Sequence, residues 1–166
     1  MKEKVMRRLL IAALIVPFAV PAAAQRVQPV LPFAPRGIDY VESVCTGGFD
    51  GRYEQTRILA NGQVMKVTRR SDGVLRARAT KAEVSKIWRE LDFARFEQRI
   101  VPPEKPYVMD GIDCALTRRV NGRVHTVTLM QQSRTKPRYR DLVQALDDVN
   151  EIGRRATGPV LRPAKD

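Results

Sequence analysis

A chain of 166 residues with 30 basic side chains, 18 acidic side chains and one histidine carries a formal net charge of +12. That length suits one domain, and the positive field favours acidic partners. The lone histidine and two cysteines match no metal-ligand spacing, and beyond the N-terminus no apolar run approaches the roughly 20 residues of a membrane helix.

The first residues read as a secretory signal. Lys2, Lys4, Arg7 and Arg8 make a basic start, residues 9–20 are apolar apart from Pro17, and Ala22, Ala23 and Ala24 supply small residues before a cut. That order of basic, apolar and small is the pattern of an exported precursor cleaved between Ala24 and Gln25, so a periplasmic or secreted protein is expected. Cleavage takes away four basic residues and Glu3 and leaves a net charge of about +9, dispersed along the chain. An exported chain is a poor nucleic-acid binder by compartment. The spread of charge fits either a solvated arginine-rich surface or a face for an anionic lipid, polymer or protein.

Pro29, Pro32 and Pro35 mark residues 25–36 as an extended tether. Residues 37–153 form the expected domain, and residues 154–166 read as a tail. Residues 38–45 suggest a strand. The glycine-rich segment Thr46, Gly47, Gly48, Phe49, Asp50 and Gly51 follows. Asn61-Gly62 between two β-prone runs is a hairpin signal. A two-residue turn there predicts that Ile58 opposes Met65 and Thr56 opposes Val67. Residues 74–79 add a further short strand.

Thr80 and Glu83 have the spacing of a capping box, and Val84, Ile87, Trp88 and Leu91 follow at helical spacing. On that stripe the only tryptophan is a core anchor, with Phe93 and Phe96 covering the helix end. Residues 97–110 carry three prolines and read as a loop. Asn121-Gly122 predicts a second hairpin in which Cys114 opposes Leu129, Leu116 opposes Val127 and Arg118 opposes His125. Leu142, Ala145, Leu146, Val149 and Ile152 define a second amphipathic helix that Gly153 ends. Strands grouped in hairpins with two helices predict an α+β domain, a small antiparallel sheet with both helices packed on one face.

Two cysteines in an exported chain predict a disulfide between Cys45 and Cys114. It closes a loop of roughly 70 residues, worth about 4 kcal/mol in the chain-entropy view. No catalytic constellation emerges. His125 lies on a strand, a Cys–His pair needs a reduced thiol, and the adjacent Asp147 and Asp148 point apart on a helix. The chain is therefore expected not to be an enzyme and to need no cofactor or metal. The segment of residues 46–51 fits either a wide turn between strands or a binding loop.

Thr46-Gly47-Gly48-Phe49-Asp50-Gly51-Arg52 resembles the opening motif of the emfourin-like family of metallopeptidase inhibitors. The likeness continues through the helix of residues 80–91 with Phe93 and Phe96. It returns at Leu116-Thr117, Gly122-Arg123 and His125-Thr126-Val127, and so covers most of residues 40–152. A family of bacterial envelope domains shares the same strand–helix–hairpin–helix plan. The emfourin resemblance implies a compact α+β inhibitor that docks on a thermolysin-like metallopeptidase, with residues 46–51 as the shared loop. The export signal, the cysteines and the proline loop depart from that family's pattern. The alternative expectation is a structural or adaptor protein of the cell envelope with a basic face for anionic partners.

Overall fold

The computed structural model describes residues 31–156 except residues 33, 35, 72, 104 and 106–109. The expected signal segment, the first half of the tether, part of the proline loop and the tail beyond residue 156 lie outside the described residues. The strands are β1 (Tyr40–Gly47), β2 (Arg52–Leu59), β3 (Gln63–Thr68), β4 (Leu75–Arg78), β5 (Ile112–Val120) and β6 (Arg123–Leu129). Helix α1 spans Lys81–Phe93 and α2 spans Arg140–Arg154. The strands form one sheet in the order β4-β3-β2-β1-β5-β6, and every pairing is antiparallel.

Side chains alternate across the pleat, so each strand divides its residues between two faces. Val41, Cys45, Ile58, Val64, Cys114, Leu116, Val127 and Leu129 meet Val84, Ile87 and Leu91 of α1 and Leu142, Leu146 and Val149 of α2. Both helices therefore cover one face, as the α+β reading expects. The capping box forms as the sequence suggests: Thr80 Oγ1 accepts from Glu83 N (3.2 Å), and Glu83 Oε2 accepts from Thr80 N (2.8 Å).

The opposite face has a smaller apolar cluster of Leu31, Leu59, Met65 and Val67. Here the end of the expected tether packs on the sheet. Leu31 N donates to Gln55 Oε1 (3.2 Å), and Arg57 Nη1 donates to the Pro32 carbonyl (2.6 Å). One apolar residue and two polar anchors suffice to hold an extended segment there, because proline-bearing backbone has few donors of its own to satisfy.

The two Asn-Gly hairpins differ. At the second, Asn121 and Gly122 both take positive φ (50° and 79°), and the turn has two residues. The expected pairs Cys114–Leu129, Leu116–Val127 and Arg118–His125 all form. At the first, the register is shifted by one: Ile58 opposes Val64, Arg57 opposes Met65 and Gln55 opposes Val67. Only Gly62 takes positive φ there (85°), and its N–H bonds to the Leu59 carbonyl (2.8 Å) in a three-residue loop. The cause is tertiary. Ala79 N bonds to the Gly62 carbonyl (2.9 Å), docking the turn on the lead-in to α1, and the shift sends Val64 to the helix face.

Three further expectations are corrected. Trp88 is only partly buried at the core margin, because the Arg118 guanidinium lies over its ring (4.7 Å) and fills the space beside it. Phe93 does not cover the helix end and is 86% exposed; Arg95, in the left-handed region (φ 49°), turns the chain so that Phe96 alone enters the core. Gly153 does not end α2, which continues through Arg154. It is instead the point where the helix approaches the sheet: a Cβ on Gly153 would lie 2.4 Å from Thr56 Oγ1.

Candidate functional site

Cys45 on β1 and Cys114 on β5 are directly paired across the sheet, with Cα atoms 4.1 Å apart, and they form the expected disulfide. Residues directly opposed on neighbouring antiparallel strands lie close enough for such a bond. Two residues beyond Cys45, β1 ends at Gly47, which pairs with Arg52 on one side and Ile112 on the other. The glycine-rich loop thus leaves the sheet at its stapled centre.

The loop is pinned by two distant groups, Gly111 and Arg69, and by one turn of its own. Gly48 N donates to the Gly111 carbonyl (3.3 Å), and Gly51 N closes a turn on the Gly48 carbonyl (3.0 Å). Arg69, from the β3–β4 turn, donates to the carbonyls of Asp50 and Gly51. Gly47, Gly48 and Gly51 all take positive φ (113°, 76° and 60°). At Gly47 no side chain fits, because a Cβ would lie 2.2 Å from the Gly111 carbonyl oxygen. The glycines therefore serve close backbone contact as well as the turn itself.

Thr46, expected in the loop, is instead exposed near the end of β1, where the strand pairing carries it on to Gly47; Asp50 is exposed on the loop, and Phe49 at its tip is 94% exposed. That excludes Phe49 from the core. Arg52 and Arg69 are exposed at the loop's base, Arg52 paired with Glu54 (2.7 Å). The sequence reading found this loop but not its braces, since Gly111 and Arg69 come from segments that no local motif links to it.

A second cluster forms where α1 ends over β5 and β6. Arg118, almost fully buried, places Nη2 2.7 Å from Asp92 Oδ1 and Nη1 3.2 Å from Glu97 Oε1. Beside it His125 meets the Phe96 ring edge-on (5.3 Å), and its Nε2 lies 3.1 Å from the Arg99 carbonyl. Asp92, Glu97, Arg118 and His125 line an open cleft of about 790 Å³. Two carboxylates already hold the guanidinium, and both cysteines are bound in the disulfide, so no Cys–His pair is assembled at His125. Among the described residues no group of three or more His, Cys, Asp or Glu side chains is placed to hold a metal ion, and no helix is long and apolar enough to cross a membrane.

Fold and site together define a disulfide-stapled antiparallel α+β domain that presents one rigid, glycine-rich loop with an aromatic tip. Neither a scan against models of known protein families nor a search of curated proteins finds a match to the chain.

Proposed function

We propose that this chain is an exported, non-enzymatic binding protein that docks on a partner through Phe49, and that the partner is a thermolysin-like metallopeptidase which it inhibits. One observation carries the docking reading: Phe49 is 94% exposed at the tip of a loop that backbone bonds and Arg69 hold fixed. An aromatic ring in water gains on burial, and a fixed loop loses little freedom when it docks. The identity of the partner rests on the emfourin-like motif of residues 46–52. The exported location rests on the signal-like N-terminus and is supported by the disulfide.

The test pairs one variant with two readouts. Phe49→Ala is expected to weaken inhibition by about 2 kcal/mol, roughly thirtyfold, a typical loss for a buried aromatic anchor. Its melting temperature should match that of the parent, because the ring makes no core contact. Exported material should begin at Gln25 on N-terminal sequencing. If the purified parent inhibits no thermolysin-family peptidase from its own source, the inhibitor reading fails and the envelope adaptor takes its place.

A further inference from the structure

We propose that the cleft between the Asn61–Gly62 turn and the first turns of α1 binds an anionic sugar, stacked on Trp88 and held by Arg78 and Lys81. The cleft has a volume of about 470 Å³, within the range of small-ligand sites. Its chemistry is one-sided. Arg78, Lys81, Asn61, Ser85 and Trp88 line it, and no carboxylate does among the described residues. Neither Arg78 nor Lys81 forms an ion pair among the described residues, although carboxylates elsewhere on the surface are paired. Two uncompensated cations in one concave site attract an anion, and the concavity focuses their field.

Trp88 supplies the second element. Trp88 lines this cleft, and Arg118, which lines the other, lies over its ring at 4.7 Å. Asp92 and Glu97 fix Arg118 in turn, so the ring is held in place before any ligand arrives. A fixed indole facing a polar cleft is a stacking platform for the apolar face of a sugar ring. Asn61 Oδ1 is occupied by Gln63 N (3.0 Å), which leaves its Nδ2 to donate. Ser85 offers a hydroxyl, so both groups suit ring hydroxyls, while Arg78 and Lys81 suit the carboxylate or phosphate. The walls are rigid, since Ala79 N bonds to the Gly62 carbonyl.

This site is separate from the glycine-rich loop. β2 runs from Arg52 at the loop to Leu59 at the Asn61–Gly62 turn, so the two lie at opposite ends of a strand, roughly 20 Å apart. The proposal stands independently of the inhibitor reading.

Trp88 is the only tryptophan of the chain and lines this cleft, so its emission reports binding here, and the Arg78 and Lys81 variant separates that from an effect through Arg118. The purified protein is titrated at low salt with tetragalacturonate, with glucose 6-phosphate, with maltotetraose and with inorganic phosphate. A saturable change in emission with tetragalacturonate or glucose 6-phosphate is expected, and which of the two binds more tightly assigns the anion as carboxylate or phosphate. Maltotetraose and inorganic phosphate should bind about tenfold more weakly or worse, each lacking one of the two elements. The double variant Arg78→Gln, Lys81→Gln should lose at least about tenfold in affinity with an unchanged melting temperature, and Phe49→Ala should bind as the parent does. No response to either acidic sugar overturns the proposal. So does an equal response to maltotetraose or to phosphate, or full binding by the double variant.

Discussion

Gly47 is the residue on which the loop's position depends, and Gly47→Ala is the sharpest test of how that loop is held. A Cβ there would lie 2.2 Å from the Gly111 carbonyl oxygen and 3.2 Å from its carbon. Both are backbone atoms at the start of β5, so neither can rotate away as a side chain would. The residue also sits at φ 113°, where an L side chain costs about 1 kcal/mol. Displacing packed backbone adds about 1–3 kcal/mol. The Gly48 to Gly111 hydrogen bond, worth about 1 kcal/mol, is lost with the shift, for a total of about 3–5 kcal/mol. Gly51→Ala is the matched comparison. Its Cβ would meet Arg69 Nη1 at 2.5 Å, the free end of a long side chain that can swing aside. At φ 60° it should cost only about 1–1.5 kcal/mol. Thermal unfolding of both variants decides the matter, with a fall of roughly 10 °C or more expected for Gly47→Ala and about a third of that for Gly51→Ala. A melting temperature for Gly47→Ala within about 2 °C of the parent, or a larger loss for Gly51→Ala, would refute the close-approach reasoning.

Gly153→Ala should destabilise by about 1–2 kcal/mol, since crowding against Thr56 outweighs the helix preference for alanine. Thr56→Ala removes a buried hydroxyl that has no hydrogen-bond partner among the described residues, and in the same chain it should restore at least half of that loss in urea denaturation. Cys114→Ser should lower stability by about 2–5 kcal/mol, and non-reducing peptide mapping of the parent should recover Cys45 and Cys114 in one linked fragment. Burial pushes the Glu54 carboxyl up, but hydrogen bonds from Lys66 and Arg52 outweigh it and hold the group below its ordinary value. A carboxyl lowered in the folded state adds stability that is complete above the unfolded value and is lost as pH falls through the folded one. Unfolding measured from neutral pH down through about pH 4 should therefore show an acid-side loss that Glu54→Gln flattens, at a cost of about 1–2 kcal/mol at neutral pH.

Local signals carried much of the fold. The capping box at Thr80 and Glu83, the stripe of Val84, Ile87 and Leu91, and the Asn121-Gly122 turn act over a few residues, so their consequences could be read directly. The cysteine pair was legible from its count and the expected compartment, and the second hairpin's register put Cys114 on the buried face. The glycine-rich loop was visible by composition, but whether Phe49 pointed into the core or into water was open. Contacts between distant segments decided that. Gly111 and Arg69 pin the loop so that its tip stands away from the sheet. The same kind of long-range contact shifted the first hairpin by one residue, because Ala79 docks on Gly62. It moved Trp88 from the core to its margin, because Arg118, whose partners Asp92 and Glu97 come from α1 and the turn after it, occupies the space against the ring. It also made Gly153 a packing contact rather than a helix terminus. Propensity and periodicity fix what each segment does alone; which side chain fills the space between two segments depends on where both lie, and only the packed sheet and helices set that.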